Sequence, residues 1–192
     1  MKKQSDGLVC YNLTVRWSNY DRNVVRSMKA IYAGSFDPIT LGHLSVIERA
    51  FNMFEQLHIV IANNKAKNHF FSLEQRKELV KVSVPGEFYN RAVIVPYQGI
   101  VADYINANEI DVVIRGIRSV TDLDYELQLE QYIRNTTQAD TIYLSPYTQY
   151  MLTSSSLVRM FFQSDKLLIA HNYMPPEAYE LAMTYLKERK YL

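Results

Sequence analysis

One ten-residue stretch, Gly34-Ser35-Phe36-Asp37-Pro38-Ile39-Thr40-Leu41-Gly42-His43, brings together glycines, hydroxyls, a carboxylate, a proline and a histidine. It lies between a short apolar run, AIYA, and a segment with helical spacing, LSVIERAFNMF. A plain connector has no need of a histidine at the mouth of the following helix. Glycines let a backbone approach a ligand closely. The unpaired N–H groups and dipole of a helix start favour an anion. His43, in the first turn, can donate a hydrogen bond to a phosphoryl oxygen. A lone histidine there would read as a polar cap on a surface helix; inside this elbow it reads as an anion ligand.

Three further groups carry the same signal. Arg115-Gly116-Ile117-Arg118 ends an apolar run with two guanidiniums, which grip phosphates as fixed forks. Their plain alternative is pairing with Asp122, Asp124 or Glu126. Ser154-Ser155-Ser156 stands where a helix begins; one hydroxyl suffices for an N-cap, and the excess suits a phosphate cradle. Lys67 follows the second apolar run, where a lysine ordinarily does no more than solvate a loop. Hydroxyls and cations outnumber carboxylates at these points, and that mix suits a polyanion such as a chain of phosphates. Neither G-x-G-x-x-G nor G-x-x-x-x-G-K-[ST] occurs, which disfavours dinucleotide oxidoreductases and P-loop NTPases. No Ser-His-Asp or Cys-His arrangement stands out, and His43, His58, His69 and His171 lack zinc-ligand spacing.

These groups need a scaffold that delivers them to one place. From Met28 onward, strand-like and helix-like segments alternate. KAIYAG, LHIVIAN, AVIVPY, DVVIRG and TIYLSP read as five strands. LHIVIAN is apolar almost throughout, as a strand buried on both faces must be. Between them lie the helix-like segments after the elbow, SLEQRKELVKV, GIVADYINANE and TDLDYELQLEQYIRNTTQ; SSSLVRMFFQ and PPEAYELAMTYLKERK close the chain. Ser72 with Gln75 three residues on is a capping-box pattern. The alternation predicts an α/β fold: a Rossmann-like, doubly wound, five-stranded parallel sheet with helices on both faces. Ligands of such sheets bind beyond the carboxyl ends of the strands, which is where all four groups fall.

Composition narrows the class. The 192 residues, 48% of them hydrophobic, suit one domain with a full core. A net charge of +1 leaves no electrostatic footprint for wholesale nucleic-acid binding. The single cysteine, Cys10, rules out a disulfide framework, and no apolar run reaches the roughly 18–20 residues of a membrane span. No signal-peptide core is visible, so a cytoplasmic location is expected. Residues 1–27 are polar and without sustained period. They read as an N-terminal extension or as translation from an upstream start, with an extra strand over CYNLTVRW as the rival; residues 28–192 form the domain.

Taken together, GSFDPITLGH, RGIRSVTDLDYELQL and TSSSLVR resemble the bacterial phosphopantetheine adenylyltransferases of the nucleotidyltransferase superfamily. The resemblance runs from Met28 to about Lys190. The superfamily signature is H-x-G-H; here Thr40 takes the first position, the T-x-G-H form typical of this family. The resemblance implies transfer of an adenylyl group from ATP to 4′-phosphopantetheine, giving dephospho-coenzyme A and pyrophosphate, the penultimate step of coenzyme A synthesis. The acceptor phosphate attacks the α-phosphorus directly, with Mg²⁺ accompanying ATP. His43, Lys67 and Arg118 are the implied catalytic residues. Ser35, where threonine is common, and Phe36 are implied at the junction of the two substrates. Gly116, Ile117, Arg118 and Glu126 are implied at ATP, as are Tyr150, Met151, Leu152 and Thr153 with Ser154, Ser155 and Ser156. Lys67, Val101 and Arg115 are implied at phosphopantetheine. Arg159 stands where lysine is also common, and its role stays open. The resemblance also implies a homohexamer built as a dimer of trimers, with feedback by coenzyme A. Two alternatives remain: a sister enzyme acting on another acceptor such as nicotinate or nicotinamide mononucleotide, and a binding module that has lost turnover.

Overall fold

The computed structural model describes residues 27–63 and 68–190; residues 1–26, most of the expected extension, lie outside them. In chain order the elements are β1 (Lys29–Gly34), α1 (Leu41–Phe51), β2 (Gln56–Ala62), α2 (Leu73–Ser83), β3 (Ala92–Tyr97), α3 (Val101–Ala107), β4 (Val112–Gly116), α4 (Val120–Thr136), β5 (Asp140–Leu144), α5 (Ser155–Gln163), α6 (Leu167–Ala170) and α7 (Pro176–Lys190). The five strands form one sheet in the order β3-β2-β1-β4-β5, every neighbouring pair parallel. The chain therefore winds outward from β1 through β2 to β3, crosses over, and adds β4 and β5 on the other side. The reversal falls between β1 and β4. Loops leaving those two strands part to opposite faces and open a crevice between them.

Both faces of the sheet are covered, which explains the continuous apolar strands. Residues alternate between two cores. Ala30 and Tyr32 of β1, Leu57, Ile59 and Ile61 of β2, and Val112 and Ile114 of β4 join α1, α2, α5 and α7 in the larger core. Ile31, Val60 and Val113 turn the other way and pack with Ala102, Tyr104 and Ile105 of α3 and Ile133 of α4. Each fully buried Leu, Ile or Phe contributes about 1.5–3 kcal/mol, so a one-residue register slip would exchange the two cores. The register is explicit: Ile31 pairs with His58 on one side and Val113 on the other.

Helix starts are set by side chains. Ser72 accepts from the Gln75 backbone N–H while the Gln75 side chain returns to Ser72, the expected capping box. Thr40, Ser119 and Ser154 cap α1, α4 and α5. The helix expected over 99–109 is shorter: α3 runs Val101–Ala107, preceded by Ile100 in extended backbone with no side-chain cap. A 3₁₀ turn at Gly86–Arg91 and the short α6 have no period and left no mark in the sequence pattern. α4 buries only Ile133 and exposes Val120, Tyr125, Leu127 and Tyr132. Among the described residues no helix is long and apolar enough to cross a membrane.

Candidate active site

The elbow leaves β1 at its carboxyl end and is built around an aromatic fold-back. Phe36 takes a left-handed backbone, φ 45°, uncommon for a residue with a side chain. Its ring turns back over Gly34, where a Cβ would lie 3.2 Å from two ring carbons. The ring is 1% exposed and packs edge-on against Tyr32 and His43, with centroids 5.5 and 5.2 Å away. Gly34 thus makes room for Phe36, and burial of the ring holds the backbone in its unfavourable conformation.

His43 is fixed by the helix cap. The Thr40 backbone N–H donates to His43 Nδ1 at 3.1 Å, and Thr40 Oγ1 lies 3.0 Å from the same nitrogen. The His43 N–H in turn points at Thr40 Oγ1, 3.4 Å away. A nitrogen that accepts a backbone N–H carries no proton, so the neutral ring has its proton on Nε2. Burial, with the nearby Arg118 charge adding to it, pulls the His43 pKa down to about 4. At neutral pH the residue is therefore a neutral N–H donor. Thr40 earns its place in T-x-G-H as the group that selects this tautomer.

An open cavity of about 310 Å³ sits over the β1–β4 reversal. Among the sequence candidates, Ser35, His43, Gly116, Arg118, Thr153, Ser154, Ser155 and Ser156 line it. Arg118 reaches across from β4: Nε and the backbone N–H both donate to Asp122 Oδ2 at 3.1 Å, and Nη1 donates to the Thr153 carbonyl at 3.0 Å. The three serines divide their work. Ser154 Oγ caps α5 by accepting from Leu157. Ser155 donates to the Pro38 carbonyl at 2.8 Å, tying α5 to the elbow. Ser156 accepts from Arg159 Nη2 at 3.0 Å.

Other candidates lie elsewhere. Arg115 pairs with Glu126, Nε to Oε2 3.4 Å, beside the cavity and outside its lining. Neither atom has hydrogen-bond geometry, and burial pushes the Glu126 carboxyl up, the Arg115 charge offsetting only part of it. Both arginines therefore realise the carboxylate pairing that their spacing allowed, Arg118 doing so while facing the cavity. The Phe36 side chain is in the core, so only its backbone can meet a ligand. Ile117 follows β4 outside the lining, with its N–H on the Leu144 carbonyl at 3.0 Å. Tyr150, Met151 and the 88%-exposed Leu152 form the turn before α5, outside the lining. Val101 opens α3, beyond β3. Lys67 lies outside the described residues.

The structure adds residues to which the sequence analysis assigned no site role. Tyr32, Asp37, Asn68, His69 and Arg159 also line the cavity. Burial raises the Tyr32 pKa, the Arg118 charge opposing it, so its phenol stays protonated. Arg159 donates to the Asp37 carbonyl at 2.6 Å. Arg76 of α2, 1% exposed, gives Nη1 to the Ser35 carbonyl at 2.8 Å and the Ala62 carbonyl at 3.2 Å. Its Nη2 goes to Asn63 Oδ1 at 2.9 Å. It thereby ties together the loops leaving β1 and β2. The Asp in the elbow motif was a visible signal for Asp37; nothing local marks Arg76, an arginine inside an otherwise ordinary helix.

The donor set favours an anion over a bare cation. Among the described residues no group of three or more His, Cys, Asp or Glu could hold a metal. Asp37, the one carboxylate among the described lining residues, accepts with both oxygens from the Phe70 and Phe71 backbone N–H groups at 2.7 and 2.8 Å. A divalent cation fits this site only as part of a phosphate ligand.

Residues 31–161 match the family model described as Cytidylyltransferase-like. Phosphopantetheine adenylyltransferases of Nautilia profundicola and Thermotoga neapolitana are 39% and 38% identical to this chain over 132 and 133 residues. Those stretches are 68% and 69% of this chain and 84% and 81% of the relatives. Among solved structures, a nicotinic acid mononucleotide adenylyltransferase of Plasmodium falciparum complexed with NaAD superimposes with a TM-score of 0.60 at 15% identity, covering 83% of this chain and 96% of that one. A bifunctional NMN adenylyltransferase/ADP ribose pyrophosphatase of Francisella tularensis gives 0.62 at 20% identity, covering 84% and 50%. At such identities the solved structures speak for the fold alone.

Proposed function

Because this chain belongs to the phosphopantetheine adenylyltransferases of the cytidylyltransferase-like family, we propose that it joins ATP and 4′-phosphopantetheine into dephospho-coenzyme A and pyrophosphate. An oxygen of the acceptor's phosphate attacks the α-phosphorus of ATP, the bond from that phosphorus to the bridging oxygen breaks, and the electron pair leaves on pyrophosphate. The nucleophile is already an anion, so no general base is needed. What the reaction requires is alignment and donors aimed at developing charge.

The observation that carries this reading is the His43 tautomer: Thr40 occupies Nδ1 and leaves an Nε2 donor at the cavity. A neutral donor serves a transferring phosphoryl group and has no proton to take up near neutral pH. Arg118 and the α5 start, Ser154 to Ser156, are assigned to the ATP phosphates, with the Ser35 and Phe36 backbone at the junction of the two substrates. Gly116, Ile117, Glu126 and the turn Tyr150 to Thr153 are assigned to the nucleoside side. Lys67, Val101 and Arg115 are assigned to the acceptor. Mg²⁺ enters as MgATP, held by the substrate's own phosphates.

A homohexamer fits the exposed apolar side chains of α4, with feedback by coenzyme A at the acceptor site and a cytoplasmic setting. Residues 1–27 are assigned no part in the chemistry. The deciding assay measures pyrophosphate release with 4′-phosphopantetheine, nicotinate mononucleotide and nicotinamide mononucleotide, for the full chain and for a chain beginning at Met28. Turnover of 4′-phosphopantetheine by both chains, with the mononucleotides at background, is the expected result. Preference for a mononucleotide would transfer the assignment to the sister activity, and binding without turnover would leave a binding module.

A further inference from the structure

Helix α1 does more than carry His43. One stripe of it, Gly42, Ser45 and Arg49, spaced three and four apart, meets the connection between β5 and α5, residues 145–154. Arg49 Nη1 donates to the Ser145 carbonyl. Ser45, 1% exposed, accepts the Tyr147 backbone N–H at 3.3 Å. That N–H can only donate, so the single proton of the hydroxyl goes to the Gly42 carbonyl, 3.0 Å away. At Gly42 the end of the connection comes close: a Cβ there would stand 3.5 Å from the Tyr150 and Thr153 carbonyl oxygens alike. Neither Ser45 nor Arg49 lines the cavity, and neither has a part in the assignment above.

The connection passes this anchorage on. The Tyr147 carbonyl accepts the Tyr150 N–H at 2.8 Å, and the Tyr150 carbonyl accepts the Thr153 N–H at 3.0 Å. The Thr153 carbonyl then receives Arg118 Nη1 at 3.0 Å. Pro146, Thr153 and Arg118 all line the cavity. A run of hydrogen bonds therefore leads from the Ser45 hydroxyl to the arginine assigned to the ATP phosphates. The residues assigned to the acceptor, Lys67, Val101 and Arg115, all lie outside this connection. We propose that Ser45 and Arg49 are positioning residues for the nucleotide. They touch no substrate; they hold the turn Tyr150 to Thr153, and through it Arg118, in the arrangement that ATP meets. This rests on the adenylyl-transfer reading for the identity of the nucleotide and on the contacts above for the residues.

The test is calorimetric titration with MgATP, beside steady-state titrations of each substrate against saturating amounts of the other, all run well below each variant's melting temperature. Ser45→Ala is expected to raise both Kd and KM for ATP by about fivefold, the worth of one neutral hydrogen bond. KM for 4′-phosphopantetheine should stay within a factor of about two. Arg49→Met, at the half-buried end of the stripe, should weaken ATP in the same sense, and Arg49→Lys should recover part of the loss by keeping a donor. The double variant Ser45→Ala/Arg49→Met should lose less than the product of the single losses, because both residues hold one segment. Should Ser45→Ala fail to fold, the two Arg49 variants decide alone. A Kd for ATP unchanged in both single variants, a matching rise in the two KM values, or losses that multiply in full in the double variant overturns the inference. If the wild-type chain binds ATP without turning over 4′-phosphopantetheine, the adenylyl-transfer reading falls and the positioning role is judged on Kd alone. A wild-type chain that binds no ATP overturns both.

Discussion

The Tyr32 hydroxyl lies 2.9 Å from the point where a Cβ would stand on Gly116, while the next atoms, Tyr32 Cζ and a Val46 methyl, are 3.7 Å from it. A single oxygen therefore stands nearest to position 116 and has to shift for a side chain to be placed there. The two residues belong to neighbouring strands, β1 and β4, at the reversal where the cavity opens.

Gly116→Ala is expected to destabilise the chain by about 1–3 kcal/mol, the usual cost of forcing a methyl into a packed site. Tyr32→Phe in the same chain removes the offending oxygen and should restore most of that loss. Urea denaturation of the two single variants and the double variant measures it. A double variant no more stable than Gly116→Ala would place the clash elsewhere.

His43 should leave a signature in the acid range. The unfolded ring titrates near 6.5 and the folded ring at about 4, so between those values the unfolded chain binds a proton that the folded chain refuses. Stability due to this residue is complete above pH 6.5, declines as the pH falls, and is gone below about 4. His43→Ala should flatten the stability slope in that window. The same substitution should cost at least about tenfold in kcat/KM, or roughly 1.4 kcal/mol of transition-state stabilisation, and the wild-type rate profile should show no acid limb near 6.5 from this group. A smaller loss would remove His43 from the chemistry.

Arg118 is 37% exposed and its partner Asp122 30%, so solvent screens the pair and it adds no more than about 1 kcal/mol to stability. Arg118→Lys keeps the charge and loses the planar fork that spans Asp122 and the Thr153 carbonyl. Melting temperature should barely move while kcat/KM falls by about 10–100-fold, since a lysine does not replace a bidentate fork. Parallel melting and rate measurements separate the two effects; equal losses in both would mean that Arg118 acts mainly as a strut.

Arg76 is the converse case. Arg76→Met strips donors from the Ser35 and Ala62 carbonyls and from Asn63, all at the roots of cavity loops. Leaving buried acceptors unsatisfied should cost about 2–5 kcal/mol, with activity lost in proportion to the folded fraction and beyond it. Arg76→Lys should recover part, because one ammonium reaches fewer of the three acceptors. A stability change below about 1 kcal/mol in Arg76→Met, read by urea denaturation, would contradict this role.

Much of the architecture was legible in advance. Strands buried on both faces must be apolar without interruption, so LHIVIAN could be read as a strand covered on both faces, and it is β2, paired between β3 and β1. The Ser72–Gln75 box marked the start of α2, because a cap is a local hydrogen bond between residues three apart. The 3₁₀ turn at Gly86–Arg91 and the four residues of α6 were illegible, since neither is long enough to show a period.

The site divides along the same line. The pattern of residues by itself determined that glycines, hydroxyls, arginines and a histidine would gather at the carboxyl edge of a parallel sheet, because strand direction and short connections leave them no other place. Only the tertiary structure decided which of them share the cavity and in what state. Arg115 pairs with Glu126 outside its lining, while Arg118 pairs with Asp122 and still faces inward. Asp37 reaching to His69, Arg76 to Ser35 and Tyr32 to Gly116 are meetings of segments remote in sequence. Such contacts depend on how strands, helices and loops remote in sequence come to lie against one another. The chain's local preferences determine each loop's start, and packing of the two cores determines where the loops meet.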